Sequence, residues 1–362
     1  MGDEGGWMSD AVLVTGAFGL VGSATVKQLV AAGRHVVATD LDTEATRKAA
    51  AELPSAADVR WADLTDPAAV EKLLAEVSPA VVIHLAAVIP PLCYAKPALA
   101  YKVNVGATAN LVKAAEAQAR PPRLVQASSI AVYGPRNPHR ISDVLTAQTP
   151  VNPYDNYGKH KVEAEAIVRA SPLDWVILRL GGVLTTEPNL GMDPNLIFFE
   201  GVLPTDGRLQ TVDVRDVAFA FAAATTADVV GQTLLIGGDD THRLRQGDIG
   251  QSTTAAMGLV GALPPGRKGD PGDDGGWFAT DWMDSATAQQ VLKHQHYSWP
   301  DMLVETANKV GWKRYAFRVI APIAREYLKR QSPYYGQPPG YGSPWEAVRR
   351  KWGAPENDGK VS

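Results

Sequence analysis

Two side chains four residues apart, Tyr157 and Lys161, have the types and the spacing of a catalytic acid–base pair. On a helix, this separation places both residues on one face, so that they can reach the same ligand. The Lys161 ammonium would lower the pKa of the Tyr157 phenol, which could then act as general acid and base at an alcohol or carbonyl carbon. Because this spacing is common by chance, its meaning depends on neighbouring motifs.

A pair of serines, Ser128 and Ser129, ends the apolar run RLVQASS (123–129), which predicts a strand. In an open parallel sheet, ligands bind outside the carboxyl ends of the strands. A serine there can bind a substrate oxygen and stabilise developing charge. The alternative is that these hydroxyls cap the strand end or form a local turn.

The run TGAFGLVG (15–22) places glycines between a predicted strand and a predicted helix. Gly16 allows a tight turn, Gly19 lets the backbone approach a pyrophosphate, and Gly22 lets the helix pack closely on the strand. The N-terminus of the helix offers free N–H groups to phosphates. The run therefore predicts a dinucleotide-binding loop, with a glycine-rich turn of some other α/β protein as the alternative.

An acidic residue, Asp40, ends the second predicted strand about twenty residues after this loop. A carboxylate there accepts hydrogen bonds from the adenosine ribose hydroxyls and repels a 2′-phosphate. No Lys or Arg follows before Arg47. We therefore predict NAD rather than NADP, although Asp40 and the nearby Asp42 could instead cap the following helix.

Strands and helices alternate through the first half of the chain. Strands are predicted at 11–15, 35–40, 58–61, 80–86, 123–129 and 174–180, and helices at 20–32, 43–52, 66–77, 97–119 and 156–170. A further helix is predicted within 212–225 and a strand at 233–238. This order predicts an α/β fold with a Rossmann-type, doubly wound parallel sheet and a smaller C-terminal substrate-binding region.

The predicted domain boundaries follow changes in composition. Residues 1–10 are expected to be a disordered leader, 11–180 the NAD-binding Rossmann domain, and 181–330 the substrate-binding region. The segment 212–238 is expected to return to the first domain, and 331–362 to be an irregular C-terminal extension.

Composition excludes several classes of function. The net charge of −4 gives no electrostatic basis for binding nucleic acid, and no apolar stretch reaches the ~18–20 residues of a membrane span. The single cysteine, Cys93, allows no internal disulfide, which favours a cytoplasmic protein. No His, Cys or Asp spacing suggests a metal site.

Taken together, these motifs resemble the extended short-chain dehydrogenase/reductase superfamily, specifically its NAD-dependent epimerase/dehydratase family. The resemblance covers about residues 11–240. Its landmarks are TGAFGLVG, Asp40, Asp63-Leu64, HLAA (84–87), Asn104, SSIAVYG (128–134), YGKHK (157–161), LRLGG (178–182) and VDVRDVA (212–218).

The resemblance implies a role for each matching residue. Ser129 rather than Ser128 would be the catalytic serine, Tyr157 the acid–base, and Lys161 the residue that holds the ribose. Asn104 would support Lys161. The implied cofactor contacts are Gly16, Phe18, Gly19, Leu20, Val21, Gly22, Asp40, Asp63, Leu64, Leu85, Ala86, Ala87, Asn104, Tyr157, Lys161, Gly182 and Val183.

Departures from the family pattern concern the substrate. Ile130 and Ala131 stand where members that dehydrate sugar nucleotides carry an Asp-Glu pair. Leu209 stands where sugar-nucleotide members tend to carry a diphosphate-binding arginine, and Arg208 is the residue directly before it. A 4,6-dehydratase is therefore not expected, and a nucleotide-sugar substrate is less favoured.

The segment VIPPLCY (88–94) follows HLAA and is apolar and rigid. In this fold it lies on the substrate side, which suits a hydrophobic alcohol or ketone better than a sugar. The predicted substrate contacts are Val88, Ile89, Pro90, Ser128 and Ser129. Alternatively, this segment packs against the C-terminal region.

Positive charge is concentrated late in the chain. Between Trp312 and Trp352, nine Lys and Arg residues accompany only Glu326 and Glu346, a net charge of +7 that leaves −11 for the remainder. Apolar residues from Trp312 to Leu328 recur at helical spacing, which predicts a basic amphipathic helix. Such a helix could lie on an anionic membrane surface, but packing on the substrate-binding region is the expected arrangement.

These observations predict an NAD-dependent oxidoreductase that transfers a hydride at a secondary alcohol or ketone carbon. The alternatives are a nucleotide-sugar 4-epimerase and, from another class, a non-catalytic NAD-binding sensor or scaffold. The resemblance also implies a homodimer, which would pair helices near 97–119 and 156–170.

Overall fold

The computed structural model describes residues 10–188 and 193–360 of the chain. Except for Asp10, the predicted disordered leader lies outside the described residues. Among the residues described, no helix is long and apolar enough to cross a membrane.

The seven strands predicted above lie close to their predicted positions, and three further strands make up a second sheet. They are β1 (Val12–Thr15), β2 (Val36–Asp40), β3 (Ala57–Trp61), β4 (Val81–His84), β5 (Arg123–Ser129), β6 (Trp175–Leu180), β7 (Gly182–Leu184), β8 (Arg208–Asp213), β9 (Thr233–Ile236) and β10 (Arg243–Arg245). Seven of them form a parallel sheet in the order β3-β2-β1-β4-β5-β6-β9, and β10-β8-β7 form a smaller second sheet. The predicted Rossmann-type fold class is confirmed.

The helices complete the layers around these sheets. They are α1 (Leu20–Ala31), α2 (Glu44–Ala50), α3 (Pro67–Val77), α4 (Leu92–Ala95), α5 (Pro97–Tyr101), α6 (Thr108–Glu116), α7 (Asn156–Ala170), α8 (Pro194–Val202), α9 (Val214–Ala224), α10 (Gln246–Ala256), α11 (Ala286–Leu292), α12 (Trp299–Val310), α13 (Lys313–Gln331) and α14 (Pro344–Trp352). A π-helix spans Lys102–Ala107, and a 3₁₀ turn at Ile130–Tyr133 follows β5.

The sheet is buried on both faces because helices cover both. One apolar cluster contains Val12, Val14 and residues of α1 and α9, and the other contains Leu13, Val82 and residues of α3 and α6. Strand order reverses between β1 and β4, the position where such sheets form a ligand-binding crevice. The glycine loop follows β1 and the segment 85–92 follows β4, so both lie at this crevice.

Two predicted elements differ in the structure. The single helix predicted over 97–119 is divided into α5, the π-helix and α6. The extension predicted to be irregular contains α14, whose residues Trp345, Ala347 and Val348 are buried. Pro344 starts this helix and its apolar side packs on the body of the protein, which supplies the stability that the isolated segment would lack.

Candidate functional site

The glycine loop is built for close backbone contact. Gly16 has a φ of +65°, and a Cβ added there would lie 2.6 Å from the backbone nitrogen of Ala86. A Cβ on Gly22 would overlap the carbonyl oxygen of Gly16. Only glycine therefore fits at both positions, and the N-terminus of α1, which begins at Leu20, is left open after Gly19.

Asp40 reaches back to this loop. Its carboxylate accepts hydrogen bonds from the Phe18 N–H at 3.4 Å and the Leu41 N–H at 2.9 Å. Burial raises the pKa of Asp40, and these two hydrogen bonds act in the opposite direction. Helix α2 is capped by Thr43 instead, so the alternative role of Asp40 or Asp42 as its cap does not hold.

Other predicted cofactor residues surround the same crevice. The Leu85 N–H donates to the Thr15 carbonyl at 3.2 Å, which ties the end of β4 to the start of the loop. Leu64 is buried, whereas the Asp63 carboxylate accepts hydrogen bonds from Thr65 in its own turn. Gly182 and Val183 belong to β7, directly after β6. Leu20, Val21, Ala86 and Ala87 are among the predicted cofactor residues that are only partly buried or exposed.

Trp61 is a residue at this edge that the sequence did not single out. Its ring lies 5.1 Å from the Phe18 ring, at the end of β3. An aromatic residue at the end of the third strand, next to the predicted Asp63-Leu64 contact, was the available signal.

Ser129 and Tyr157 meet at the carboxyl end of β5. Ser129 is the last residue of that strand, and its hydroxyl accepts a hydrogen bond from the Ala131 N–H at 3.2 Å. Tyr157 lies in the first turn of α7, and the Ser129 side chain is near enough to its phenol to lower the pKa of Tyr157. The structure therefore brings the predicted serine and tyrosine together.

Lys161 lies one turn further along α7. Its ammonium donates to the Ala127 carbonyl at 3.0 Å and lies 5.8 Å from the centre of the Tyr157 ring. Burial lowers the pKa of Lys161 to about 8, with the nearby Glu165 opposing the shift. Lysine and tyrosine thus share one helix face, as predicted.

The predicted lowering of the Tyr157 pKa is not found in the structure. Burial raises that pKa well above its usual value, and the Ser129 side chain acts against the rise. The free-energy cost of removing the Tyr157 phenolate from water outweighs the stabilisation that neighbouring groups give to its charge. The Lys161 ammonium gives little of that stabilisation because it is directed at the Ala127 carbonyl.

Ser128 does not face the substrate side, contrary to its predicted contact. Its hydroxyl is buried and donates to Glu165 at 2.5 Å. Glu165 also accepts hydrogen bonds from Arg179 and Arg169. Because side chains alternate along a strand, Ser129 on the site side places Ser128 on the opposite side, in this ionic network.

Asn104 also differs from its implied role beside Lys161. Its side-chain amide exchanges two hydrogen bonds with the Val88 backbone, at 2.7 and 2.9 Å, and lies 3.4 Å from the His160 ring. Asn104 belongs to the π-helix, whose extra residue per turn changes the direction of its side chain. It therefore fixes the segment after β4 rather than the lysine.

The segment Cys93-Tyr94 anchors the start of α7. The Tyr94 hydroxyl donates to Asp155 at 2.6 Å, and Asp155 caps α7 by accepting the Gly158 N–H at 3.0 Å. The Asn156 amide donates to the Cys93 carbonyl at 2.9 Å. These buried contacts hold the turn that carries Tyr157.

An aromatic cluster packs against Tyr157, and the sequence analysis missed it. Tyr157 and Val88 pack against this cluster, whose aromatic members are Tyr94, Tyr154, Phe198, Phe199, Phe278, Trp345 and Trp352. The ring of Trp345, from α14, lies 4.8 Å from Tyr154 and 5.3 Å from Phe278. The sequence signal was the helical spacing of Trp345, Val348 and Trp352 after Pro344.

Of the two predicted alternatives for VIPPLCY, the structure shows packing against the C-terminal region. Val88 packs with the aromatic cluster that includes C-terminal Trp345, while Ile89 is exposed and Pro90 is partly buried. The packing of this segment on the C-terminal region is therefore observed at Val88, and its predicted contact with substrate stays a prediction.

Residues 353–360 continue from α14 across the catalytic helix. The Pro355 carbonyl accepts the Asn156 N–H at 2.7 Å, and the Asp358 carbonyl lies 2.7 Å from Nε2 of His160. Lys360 pairs with Glu163 at 3.0 Å. We call residues 353–360 the C-terminal strap.

Arg208, next to the predicted diphosphate position, is engaged elsewhere. Its guanidinium is buried and pairs with Asp281, at 2.6 Å between Nε and Oδ1. Arg136 pairs with the same carboxylate. Within the ranges that the structure describes, no group of three or more His, Cys, Asp or Glu residues could hold a metal ion.

Fold and site together define a dinucleotide-binding α/β protein of the Rossmann type. Residues 12–191, about half of the chain, match the model of the NAD dependent epimerase/dehydratase family. The chain belongs to this family, and the prediction of NAD as cofactor is confirmed at the level of the family.

Curated relatives also match about half of the chain. UDP-glucose 4-epimerase 4 of Oryza sativa subsp. japonica is 35% identical over 202 residues, covering 51% of this chain and 53% of that protein. Methionine adenosyltransferase 2 subunit beta of Rattus norvegicus is 32% identical over 173 residues, covering 48% and 46%. The chain thus spans about half the length of the curated relatives it matches.

Solved structures match over a longer range. The UDP-glucose 4-epimerase of Thermus thermophilus, in complex with NAD, has a TM-score of 0.68 at 23% identity and covers 83% of this chain and 98% of that one. MoeE5, in complex with UDP-glucuronic acid and NAD, has a TM-score of 0.62 at 25% identity, covering 84% and 99%. These likenesses extend the shared fold beyond residue 191.

Proposed function

We propose that the chain is an NAD-dependent oxidoreductase that acts at a secondary alcohol or ketone carbon. The observation that carries this proposal is the meeting of Ser129 and Tyr157 at the carboxyl end of β5, with Lys161 one helical turn away. All three side chains needed for proton transfer are present, which argues against a non-catalytic sensor or scaffold.

The proposed cofactor site fits the residues at the crevice. The Gly16–Gly22 loop leaves room for a pyrophosphate on the N-terminus of α1, and Asp40 presents a carboxylate to ribose hydroxyls. When bound, NAD supplies the hydride acceptor or donor. Lys161 is placed to hold a ribose hydroxyl, since its ammonium already lies on the face of α7 that carries Tyr157.

In the proposed mechanism, Tyr157 moves the proton. Its phenolate oxygen takes the alcohol proton during oxidation, and the hydroxyl so formed donates that proton during reduction, while the Ser129 hydroxyl binds the same substrate oxygen. A phenol with a raised pKa holds its proton, so the protein alone favours the acid form of Tyr157. Ion pairing with the Lys161 ammonium and a positively charged ring nearby would favour the phenolate.

We propose an apolar secondary alcohol or ketone as the substrate. The aromatic cluster packed against Tyr157 and Val88 supports this class, because it offers ring surfaces rather than hydrogen-bonding groups. Leu209 has no charge to offer a diphosphate, and the Arg208 guanidinium is already paired with Asp281. Neither position therefore supplies a free arginine for a diphosphate.

A nucleotide-sugar 4-epimerase is the second candidate, and the comparisons favour it. Curated relatives include UDP-glucose 4-epimerases, and the solved MoeE5 structure contains UDP-glucuronic acid. The catalytic trio would serve either reaction. The candidates differ in whether the ketone leaves the site or is reduced again in place.

A substrate screen distinguishes the two candidates. NAD reduction would be measured with sterols, other apolar secondary alcohols and nucleotide sugars, and UDP binding would be measured by calorimetry. The proposal expects NADH to accumulate with an apolar alcohol and no tight binding of UDP. Tight UDP binding with interconversion of sugar epimers, and no NADH release, would transfer the assignment to the epimerase.

A homodimer remains part of the proposal through the family resemblance, and a cytoplasmic location through the single cysteine, Cys93. The C-terminal strap already occupies part of α7, through His160 and Glu163. A dimer that pairs α6 and α7 would therefore use the remaining surface of these helices. Light scattering during gel filtration would test the dimer.

A further inference from the structure

Helix α13 has two apolar sides. Its inner side, formed by Phe317, Ala321, Ala324 and Leu328, is buried or partly buried. By the period of 3.6 residues per turn, its opposite side carries a second apolar row, and this row is exposed. The members of the exposed row are Trp312, Tyr315, Val319, Ile320, Ile323 and Tyr327.

The exposure of this row is extensive. Val319 is 78% exposed, Ile323 73% and Trp312 75%. The sequence analysis expected this helix to pack on the substrate-binding region. The residues of the exposed row do not do so. Soluble monomers rarely expose so many large apolar side chains on one side of a helix, and their presence indicates an interaction surface.

Positive charge borders the exposed row. Arg318, Arg325 and Lys329 fall along one edge of α13 by helical spacing, and Lys313 lies on the other edge. Within the described ranges, none of these four side chains has an ion pair, whereas Glu326 pairs with Arg330 at 3.5 Å. The charges at the edge are therefore available to an anionic partner.

We propose that α13 docks the protein on the surface of an anionic lipid bilayer. An amphipathic helix with an apolar row and basic edges lies in the plane of the interface, with the row among the acyl chains and the cations at the headgroups. This role goes beyond the proposed reaction and does not depend on it.

Charge favours a lipid surface over a second copy of α13. The helix carries six Lys and Arg residues against Glu326, so two such helices packed side by side would bring like charges together. A bilayer that contains phosphatidylglycerol offers negative charge and an apolar layer in the same place.

Vesicle co-sedimentation of the full chain tests the proposal. Binding is expected to vesicles of phosphatidylcholine with phosphatidylglycerol at low salt, and to fall at least about tenfold on phosphatidylcholine alone. Val319→Asp and Ile323→Asp should each lower binding by about tenfold or more, because a charge would replace an apolar contact. Arg325→Glu should also lower vesicle binding, and the loss should grow with the phosphatidylglycerol content of the vesicles.

Two matched variants serve as controls. Val230→Asp alters an exposed valine outside α13, and Lys48→Glu reverses an exposed cation on α2, so both should bind as the parent does. Thermal unfolding would show that all variants fold, since the changed side chains are exposed. Failure to bind phosphatidylglycerol vesicles at low salt would overturn the proposal. Self-association abolished by Ile323→Asp, without vesicle binding, would instead assign the row to a second copy.

Discussion

Lys161 donates a hydrogen bond of 3.0 Å to the carbonyl oxygen of Ala127. Ala127 stands two residues before Ser129 on β5, and Lys161 stands one turn after Tyr157 on α7. This bond sets the position of the helix along the strand, so that the tyrosine meets the serine. The lysine therefore organises the site even before it contacts a ligand.

Replacing the proposed acid–base should separate turnover from cofactor binding. Tyr157→Phe removes only the hydroxyl, so kcat should fall by about 10²-fold or more while the Kd for NAD changes little. Steady-state kinetics and fluorescence titration would measure the two quantities. Tyr101→Phe is the matched control, because it removes a hydroxyl bonded to Glu163 outside the catalytic trio. Full turnover by Tyr157→Phe would contradict the mechanism.

The acidic end of β2 should determine the choice of cofactor. Asp40→Ala removes the carboxylate proposed to bind the ribose hydroxyls, so the Kd for NAD should rise about tenfold or more and discrimination against NADP should weaken. Isothermal titration with both cofactors would measure this. Asp42→Ala provides the control, since Asp42 is exposed and pairs with Arg47. Equal effects of the two substitutions would count against the assignment.

Two glycines at the two ends of α1 should respond differently to alanine. Gly22→Ala places a Cβ on the Gly16 carbonyl, so the loop must move and NAD affinity should fall sharply, with about 1–3 kcal/mol lost in unfolding free energy. Gly33→Ala meets no neighbour but has a φ of +71°, so it should cost about 1–2 kcal/mol and leave NAD binding intact. Denaturant unfolding and NAD titration of both variants would check this contrast.

Acid should destabilise the fold through a buried histidine. His84 lies between Thr15 and Thr108, and burial lowers its pKa to about 3, with the Lys161 charge acting in the same direction. Below pH 6.5, His84 is protonated in the unfolded chain but stays neutral in the folded protein. The free energy of unfolding therefore falls as the pH drops from about 6.5 towards 3. The loss from this group between pH 7 and pH 5 should be about 2 kcal/mol.

Urea unfolding at several pH values would measure this loss. His84→Gln should flatten the dependence, because it removes the buried group whose pKa is lowered in the folded protein. An unaltered slope in His84→Gln would show that other groups carry the acid sensitivity.

The sequence was sufficient for features that depend on local pattern. The glycine loop, the strand ending at Ser129 and the helix carrying Tyr157 and Lys161 each have their determinants within a few residues. Side-chain direction was harder to predict. Ser128 and Ser129 have the same chemistry, and only the orientation of β5 shows that one meets Tyr157 and the other Glu165.

Features that depend on distant contacts could not be predicted. The turn type of the π-helix decides where Asn104 points, and burial by residues from the whole chain decides the pKa of Tyr157. Trp345 reaches the catalytic side only because the chain after α13 returns across α8, which no local spacing encodes.

The C-terminal strap has a consequence for biosynthesis. His160 and Asp358, which lie 2.7 Å apart at their contacting atoms, are separated by 198 residues in the chain. At roughly 5–20 residues per second, a ribosome needs roughly 10–40 seconds to pass from one to the other. Helix α7 is therefore synthesised long before the C-terminal strap that contacts it. During that interval, chaperones can bind the uncovered surface of α7.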